Sequence, residues 1–385
     1  MDLAPHYSRF RVGERLLLTG HSHQAWPDVG FEAQQRAWLD AADYVDDKWE
    51  QAAVQAARVR EGFARLLGDS ADRVALGQNT HELVTRWLSA LPLRARPRIV
   101  TTDGEFHSMR RQFDRLAEEG LPVVTVPARP AETLADRLQA AVDDRTACVC
   151  VSSVLFKTAE IVPGLDRVAA ACERHGAALL VDAYHHLNVI PFDLDALGLE
   201  DAFVTGGGYK YCQLGEGNGF LRVPPNCRLR PVLTGWFAEF ESREQAGVPQ
   251  RVAYGGGAAA FAGATYDPTS HYRAAAVFAF HREQALTPEA LHRINRRQMA
   301  RLMGSFEALD LPRDVAHVEP MAEARRGGFL AIRIPDARTV ADALRERGVF
   351  SDARGSVLRL GPAPYLRDDQ LEDAVRALGE VLRPA

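Results

Sequence analysis

Between residues 97 and 224, short apolar runs alternate with amphipathic stretches, and this alternation restricts the chain more than any other feature. The runs are PRIVTT (97–102), LPVVTVP (121–127), TACVCVSSV (146–154), AALLVDA (177–183), DAFVTGG (201–207) and NGFLRVP (218–224). Helical periodicity falls between them at 107–119, 131–143 and 164–175. Uniformly apolar strands separated by amphipathic helices predict an α/β fold with a mainly parallel central sheet covered on both faces.

The flanks fit that layout. Trp38, Ala42, Val45, Trp49, Ala52, Ala56, Val59, Phe63 and Leu66 recur at three- and four-residue steps, which predicts one helix over 31–67. A second helix is expected over 79–91, capped by Asn79 or Thr80. Residues 225–270 have no period and read as long loops, and a helix is expected from about 271 to 309. The pattern then changes: GGFLAIRI (327–334), a helix at 338–347, VLRLGP (357–362) and a terminal helix at 367–382 form a small α+β C-terminal domain. The expected division is an N-terminal segment (1–30) packing with the small domain, a large domain (31–270), and a linking helix with the small domain (271–385).

Composition excludes several classes. A net charge of −5 argues against a generally basic nucleic-acid-binding surface. No charge-free stretch is long enough to span a membrane, and the charged N-terminus lacks a signal-peptide core, so a cytoplasmic protein is expected. The five cysteines are odd in number and form no CxxC pair, against a disulfide framework or structural zinc. His21-x-His23 and His185-His186 lack acidic or cysteine partners at zinc-ligand spacing, so no metal is expected. Lysine occurs only at 48, 157 and 210, which narrows amine chemistry to three side chains.

The segment VTGGGYKYCQLGEGNGFLRVP (204–224) places Lys210 just after a strand, in a glycine-rich loop. Ligands of open α/β sheets bind beyond the carboxyl ends of strands, so this amine is placed to attack a carbonyl. Asp182 ends the preceding apolar strand and projects into the same crevice. Alone, the lysine could be a solvated turn residue and the aspartate a helix cap. Together they form the arrangement used for pyridoxal 5′-phosphate, with lysine in a Schiff base and aspartate on the pyridine nitrogen.

At these residues the chain resembles the fold-type I pyridoxal-phosphate enzymes of the class V aminotransferase group, and within it kynureninase. VDAYHH is similar to the family's Asp-Leu-Ala-His segment, GYKY to Ser-Tyr-Lys-Tyr, TGWF (234–237) to Gly-Trp-Phe, VLRLGPAPYL (357–366) to its arginine-bearing segment, and SSVLFKTAEIV (152–162) to a strand end. The resemblance implies Lys210 as the Schiff-base lysine and Asp182 as the pyridinium partner. It implies His185 on the cofactor's phenolic oxygen, Phe106 stacked on the ring, and Tyr209, Thr80 and the amide of His81 at the phosphate. Trp236 and Thr265 would reach the phosphate from a second subunit, which implies a homodimer with shared active sites. Arg359 would bind the substrate α-carboxylate, and His21, His23 and Tyr184 would face the substrate.

The chain departs from the family at Gly208, which replaces a serine and removes a hydroxyl near the phosphate, at Tyr184, which replaces an alanine and would crowd or stack on the ring, and at Leu155, which replaces an asparagine. Several departures, the N-terminal segment LTGHSHQAWP (18–27) among them, line the substrate side. The activity implied is kynureninase-like hydrolytic cleavage of Cβ–Cγ in an amino acid. A class V aminotransferase, or a β- or C–S lyase acting on a different amino acid, is the alternative. A non-catalytic binding protein on the same fold is the remaining one. No cysteine follows Cys227, so the persulfide cysteine of the desulfurases is missing from its place before the arginine.

Overall fold

Residue alternation in the strand Thr146–Ser152 sets up the layers. Val149 and Val151 pack into one apolar cluster, while Cys148 and Cys150 pack into another on the opposite face. Successive strand side chains point to opposite sides, so a strand buried on both faces must be apolar throughout. In the computed structural model, which describes residues 2–242 and 250–383, helices cover both faces. Lys48–Leu67, Leu134–Ala141, Leu165–His175 and Thr269–Glu283 lie on one side, through residues such as Phe63, Leu138, Val168 and Phe278. Thr80–Ala90 and His107–Glu118 lie on the other, through Leu83, Trp87, Met109 and Phe113.

The central sheet has seven strands, in the order Val74–Gly77, Gly219–Arg222, Phe203–Gly207, Ala178–Asp182, Thr146–Ser152, Arg98–Thr102, Val123–Val126. Five adjacent strands run parallel, and Gly219–Arg222 is antiparallel to both of its neighbours. This is the expected mainly parallel α/β architecture. The edge strand Val74–Gly77 was not anticipated, because four residues between a helix and a cap carry too little pattern.

A second sheet of four antiparallel strands orders as Asp352–Arg354, Val357–Leu360, Leu330–Arg333, His317–Val318. The helices Pro288–Glu307, Ala337–Glu346 and Asp368–Leu382 pack on it in a separate apolar cluster, which also takes in Leu3, Tyr7, Val12 and Leu18. Leu16–Leu17 pairs in parallel with Val349–Phe350.

Two long helices are each divided. The stretch 31–67 forms Val29–Tyr44 and Lys48–Leu67, separated at Val45, whose φ of 50° no right-handed helix allows. Trp38, expected on the buried face, is 79% exposed. The stretch 271–309 forms Thr269–Glu283 and Pro288–Glu307. There Thr287 caps the second helix by accepting from the Ala290 amide, and Pro288 takes its first position. Apolar periodicity continues across both breaks, which is why it reads as one helix. Part of the expected 225–270 loop, at 243–249, lies outside the described residues; the rest includes only short 3-10 turns, Trp236–Ser242 and Gly257–Phe261. Among the described residues, no helix is long and apolar enough to cross a membrane.

Candidate active site

Parallel strands deliver their last residues to one edge of the sheet. Ser152 and Asp182 are register partners, Asp182 is opposite Thr205 in turn, and Thr102 ends the strand on the other side. A cavity of about 140 Å³ opens above this edge. Of the residues singled out from sequence, Thr80, His81, Phe106, Asp182, Tyr184, His185, Tyr209 and Lys210 all line it.

Lys210 is buried, and its Nζ lies 2.7 Å from His185 Nε2. Three aromatic rings surround the amine, with centroids 4.4 Å away for Tyr184, 5.3 Å for Phe106 and 5.8 Å for Tyr209. Burial pushes the ammonium down; Asp182 opposes this and Arg359 adds to it. Burial also lowers His185, with Lys210 and Arg359 repelling a second charge. The Asp182 carboxyl is raised by burial, although it accepts the Tyr184 amide at 2.8 Å and feels Lys210.

Across the cavity, Asn79 caps the helix Thr80–Ala90 by accepting from the Glu82 amide at 3.0 Å. Asn79, Thr80 and His81, at this helix start, line the cavity, and a helix N-terminus is suited to an anion. Beneath the floor lies Glu105, which sequence reasoning passed over. It is buried and accepts from Thr102 Oγ1 at 2.6 Å, from Ser152 Oγ at 2.6 Å and from the Ser152 amide at 3.2 Å. Burial pushes its carboxyl up to about 7 against these donors. Ser108, Ser152 and Phe156 also line the cavity and were not singled out. The only signal for Ser152 and Phe156 was their place at a strand end.

Five expected residues do not line the cavity. Arg359 is buried beside it in the second sheet, where Nε donates to Asp352 Oδ1 at 2.8 Å and Nη2 to Oδ2. His21 Nε2 lies 2.9 Å from the same Asp352 Oδ1, and burial lowers this imidazole to about 4. Burial alone would raise the Asp352 carboxyl, but His21 and Arg359 hold it well below the usual carboxylate range. His23 stacks on Tyr209, with ring centroids 4.8 Å apart. Trp236 and Thr265 lie elsewhere, on the surface: Trp236 is 50% exposed, and its Nε1 donates to Thr265 Oγ1 at 3.2 Å.

A lysine beyond one strand, a carboxylate ending the next and a helix N-terminus facing both, on a seven-stranded mainly parallel sheet, make this the fold-type I architecture of pyridoxal-phosphate-dependent enzymes. The chain superimposes with a TM-score of 0.86, at 16% identity, on a mutant of the C–S lyase C-DES whose structure has glycine covalently linked to the cofactor; 99% of this chain and 100% of that one are covered. By sequence, residues 295–378 match the kynureninase C-terminal domain family. An uncharacterised aminotransferase of Bacillus subtilis is 24% identical over 350 residues, 88% of this chain and 87% of that protein. Kynureninase of Pseudomonas fluorescens is 31% identical over 259 residues, 64% of this chain and 59% of that protein. The chain therefore has kynureninase and class V aminotransferase relatives, as its motifs indicated.

Proposed function

We propose that the protein is a pyridoxal-phosphate-dependent enzyme acting on an amino acid, and that its reaction is kynureninase-like hydrolytic cleavage of Cβ–Cγ. The observation that carries this reading is the buried amine of Lys210 in the same cavity as the strand-end carboxylate of Asp182. The residues present fit the cofactor. His185 Nδ1 is buried without a partner, and Thr80 and His81, the first residues of the capped helix, line the cavity. Thr80, the His81 amide and Tyr209 would hold the phosphate, Phe106 the ring face, His185 the phenolic oxygen and Asp182 the pyridine nitrogen. When bound, the cofactor supplies an electron sink for negative charge at the substrate α-carbon.

The chain's own groups supply the rest. Burial that lowers Lys210 leaves a free amine available near neutral pH, suited to take the α-proton. Phe106, Tyr184 and Tyr209 keep water from that amine. A homodimer with shared sites is part of the proposal. Its support is the exposed apolar segment bearing Val232, Leu233 and Trp236.

The match to the kynureninase C-terminal domain favours hydrolysis over transamination. Persulfide chemistry has no evident nucleophile: Cys148, Cys150, Cys172 and Cys212 are buried, and no cysteine lines the cavity. A class V aminotransferase or a lyase releasing sulfide or a thiol directly is the second reading, favoured by the Bacillus relative and the C–S lyase fold match. The test is a panel on the purified, cofactor-loaded protein: kynurenine, 3-hydroxykynurenine, β-substituted cysteines, and alanine with an oxo-acid acceptor. Anthranilate-type product with alanine supports the hydrolase. Pyruvate from cysteines, or amino transfer, replaces it with the second reading. Failure to take up the cofactor, with no difference in Lys210→Ala, overturns both.

A further inference from the structure

Gln213 follows Lys210 by three residues and stands at φ 60°, left-handed backbone that a residue with a side chain adopts at a cost. Such a conformation persists where its surroundings over-determine it. Here they do. Gln213 is 1% exposed. Its Oε1 accepts from the Tyr7 hydroxyl at 2.6 Å and from His281 Nε2 at 3.1 Å, and its Nε2 donates to Gln24 Oε1 at 2.7 Å. Both lone pairs of the amide oxygen are thereby used. Tyr7 and Gln24 belong to the N-terminal segment, and His281 to the helix Thr269–Glu283. The Tyr7 ring packs on Tyr365 of the small domain, with centroids 4.8 Å apart, and the Tyr365 hydroxyl accepts from the Ala25 amide at 3.1 Å. A buried polar network with its partners in place fixes one arrangement of the groups that make it.

The backbone around the lysine is held as closely. The Gln213 amide N–H donates to the Lys210 carbonyl at 3.1 Å, the Gln24 amide to the Tyr209 carbonyl at 3.3 Å, and Asn188 Nδ2 to the Tyr211 carbonyl at 3.0 Å. The Leu214 amide closes the loop on the Gly208 carbonyl at 2.9 Å. The closure is tight: a Cβ on Gly208 would lie 2.6 Å from Leu214 Cβ, so this loop requires glycine there. Three consecutive carbonyls, at 209, 210 and 211, are pinned from the N-terminal segment, from Gln213 and from the turn after Asp182.

Building on the reading of Lys210 as the amine that captures the cofactor, we infer that Gln213 is its positioning residue. The Gln213 side chain locks the loop 208–214 onto the N-terminal segment and the helix Thr269–Glu283, and so keeps Nζ buried against His185. Residues 1–30 contribute nothing to the lining of the cavity. They act on the amine through this one side chain.

The experiment compares wild type, Gln213→Leu and Tyr7→Phe as full-length proteins freed of cofactor. Leucine removes the amide and keeps an apolar side chain in the buried space. Phenylalanine removes one donor and leaves Gln213 in place. Capture of pyridoxal phosphate is followed by absorbance, and its dissociation constant is measured with Lys210 present and in a Lys210→Ala background. Capture is expected to slow about tenfold in Q213L and about threefold in Y7F. Affinity is expected to fall about tenfold in Q213L and to be unchanged by Q213L when Lys210→Ala is also present, because the amide acts through the lysine. Equal losses in both backgrounds mean that Gln213 only holds the cavity together, and overturn the inference. Reductive methylation with formaldehyde and cyanoborohydride, mapped by mass spectrometry, reads the same amine without the cofactor. The pH midpoint for Lys210 is expected to rise by about one unit in Q213L, as the loosened loop lets water reach the amine. Lys48 and Lys157, which do not line the cavity, keep their midpoints. An unchanged Lys210 midpoint also overturns the inference. If Q213L does not fold, the same comparisons on Y7F decide it. A wild type that captures no pyridoxal phosphate refutes the functional reading, whereas the methylation profile still decides Gln213.

Discussion

Nζ of Lys210 and Nε2 of His185 lie 2.7 Å apart in a closed environment, and both groups are pushed toward their neutral forms. Two positive charges at that distance are not sustainable without water, so the pair carries at most one proton beyond neutrality. The imidazole accepts through Nε2, which leaves the proton on Nδ1, the atom without a partner. His185→Phe removes the acceptor that stabilises the ammonium. The apparent pKa for capture of pyridoxal phosphate by Lys210 is expected to fall further, and cofactor affinity to drop about tenfold. The pH dependence of the capture rate, followed by absorbance, checks this; an unchanged profile contradicts it.

Glu105 makes a stability prediction with a definite sign. Its folded pKa, about 7, lies above its ordinary value of 4.5, so the folded protein holds this proton more tightly than the unfolded chain. That contribution is complete below pH 4.5 and is lost as pH rises toward 7, by about 3 kcal/mol at most. Glu105→Gln cannot titrate. Its stability relative to wild type should therefore improve between pH 5 and pH 8 in denaturant unfolding, and a constant difference would refute the assignment.

The buried histidines act in the opposite direction. His21, His186, His271 and His281 are each lowered to about 4 by burial, from an ordinary 6.5. Their stability is present above pH 6.5 and is lost as pH falls through 4, because the unfolded chain takes up these protons first. Thermal unfolding should lose midpoint temperature steadily from pH 6.5 to 4. His281→Gln, which removes one such group, should shallow that slope.

Asp352 supports a buried guanidinium. Asp352→Ala strands Arg359 without a counter-charge and should cost about 3–5 kcal/mol. The neutral double variant D352N/R359Q should recover much of this. Chemical denaturation of the three proteins tests it, and equal losses in single and double variants would contradict the coupling.

Val45 is β-branched, 64% exposed and held at φ 50°. Strain of this kind costs about 1–3 kcal/mol. Glycine adopts the conformation freely, so Val45→Gly should raise stability by about 1 kcal/mol after its added chain entropy. A calorimetric midpoint below wild type would show that Val45 is unstrained.

Much of the site was legible because strand ends are legible. An apolar run stops where its residue must become polar, and Asp182 marks such a stop in the sequence. Lys210 stands out because lysine is so scarce in this chain. The helix start was readable as Asn79 or Thr80, and the structure gives the cap to Asn79 and makes Thr80 the first helical residue. Glu105 and Ser152 were not: each is an ordinary polar residue near a strand end, and only the pairing of their two parallel strands brings Ser152 Oγ to the Glu105 carboxylate.

The same division holds for the whole molecule. The alternation of apolar strands and amphipathic helices, together with the lysine and aspartate at strand ends, dictates the layered fold and one edge of the cavity, because those are local consequences of side-chain period and strand termination. The breaks at Val45 and Thr287, the edge strand Val74–Gly77 and the pairing of Asp352 with Arg359 are decided by packing and by hairpin register. Arg359 looks in the sequence like a free arginine beside a proline-rich turn. Only the antiparallel pairing of Asp352–Arg354 with Val357–Leu360 sets a carboxylate opposite it.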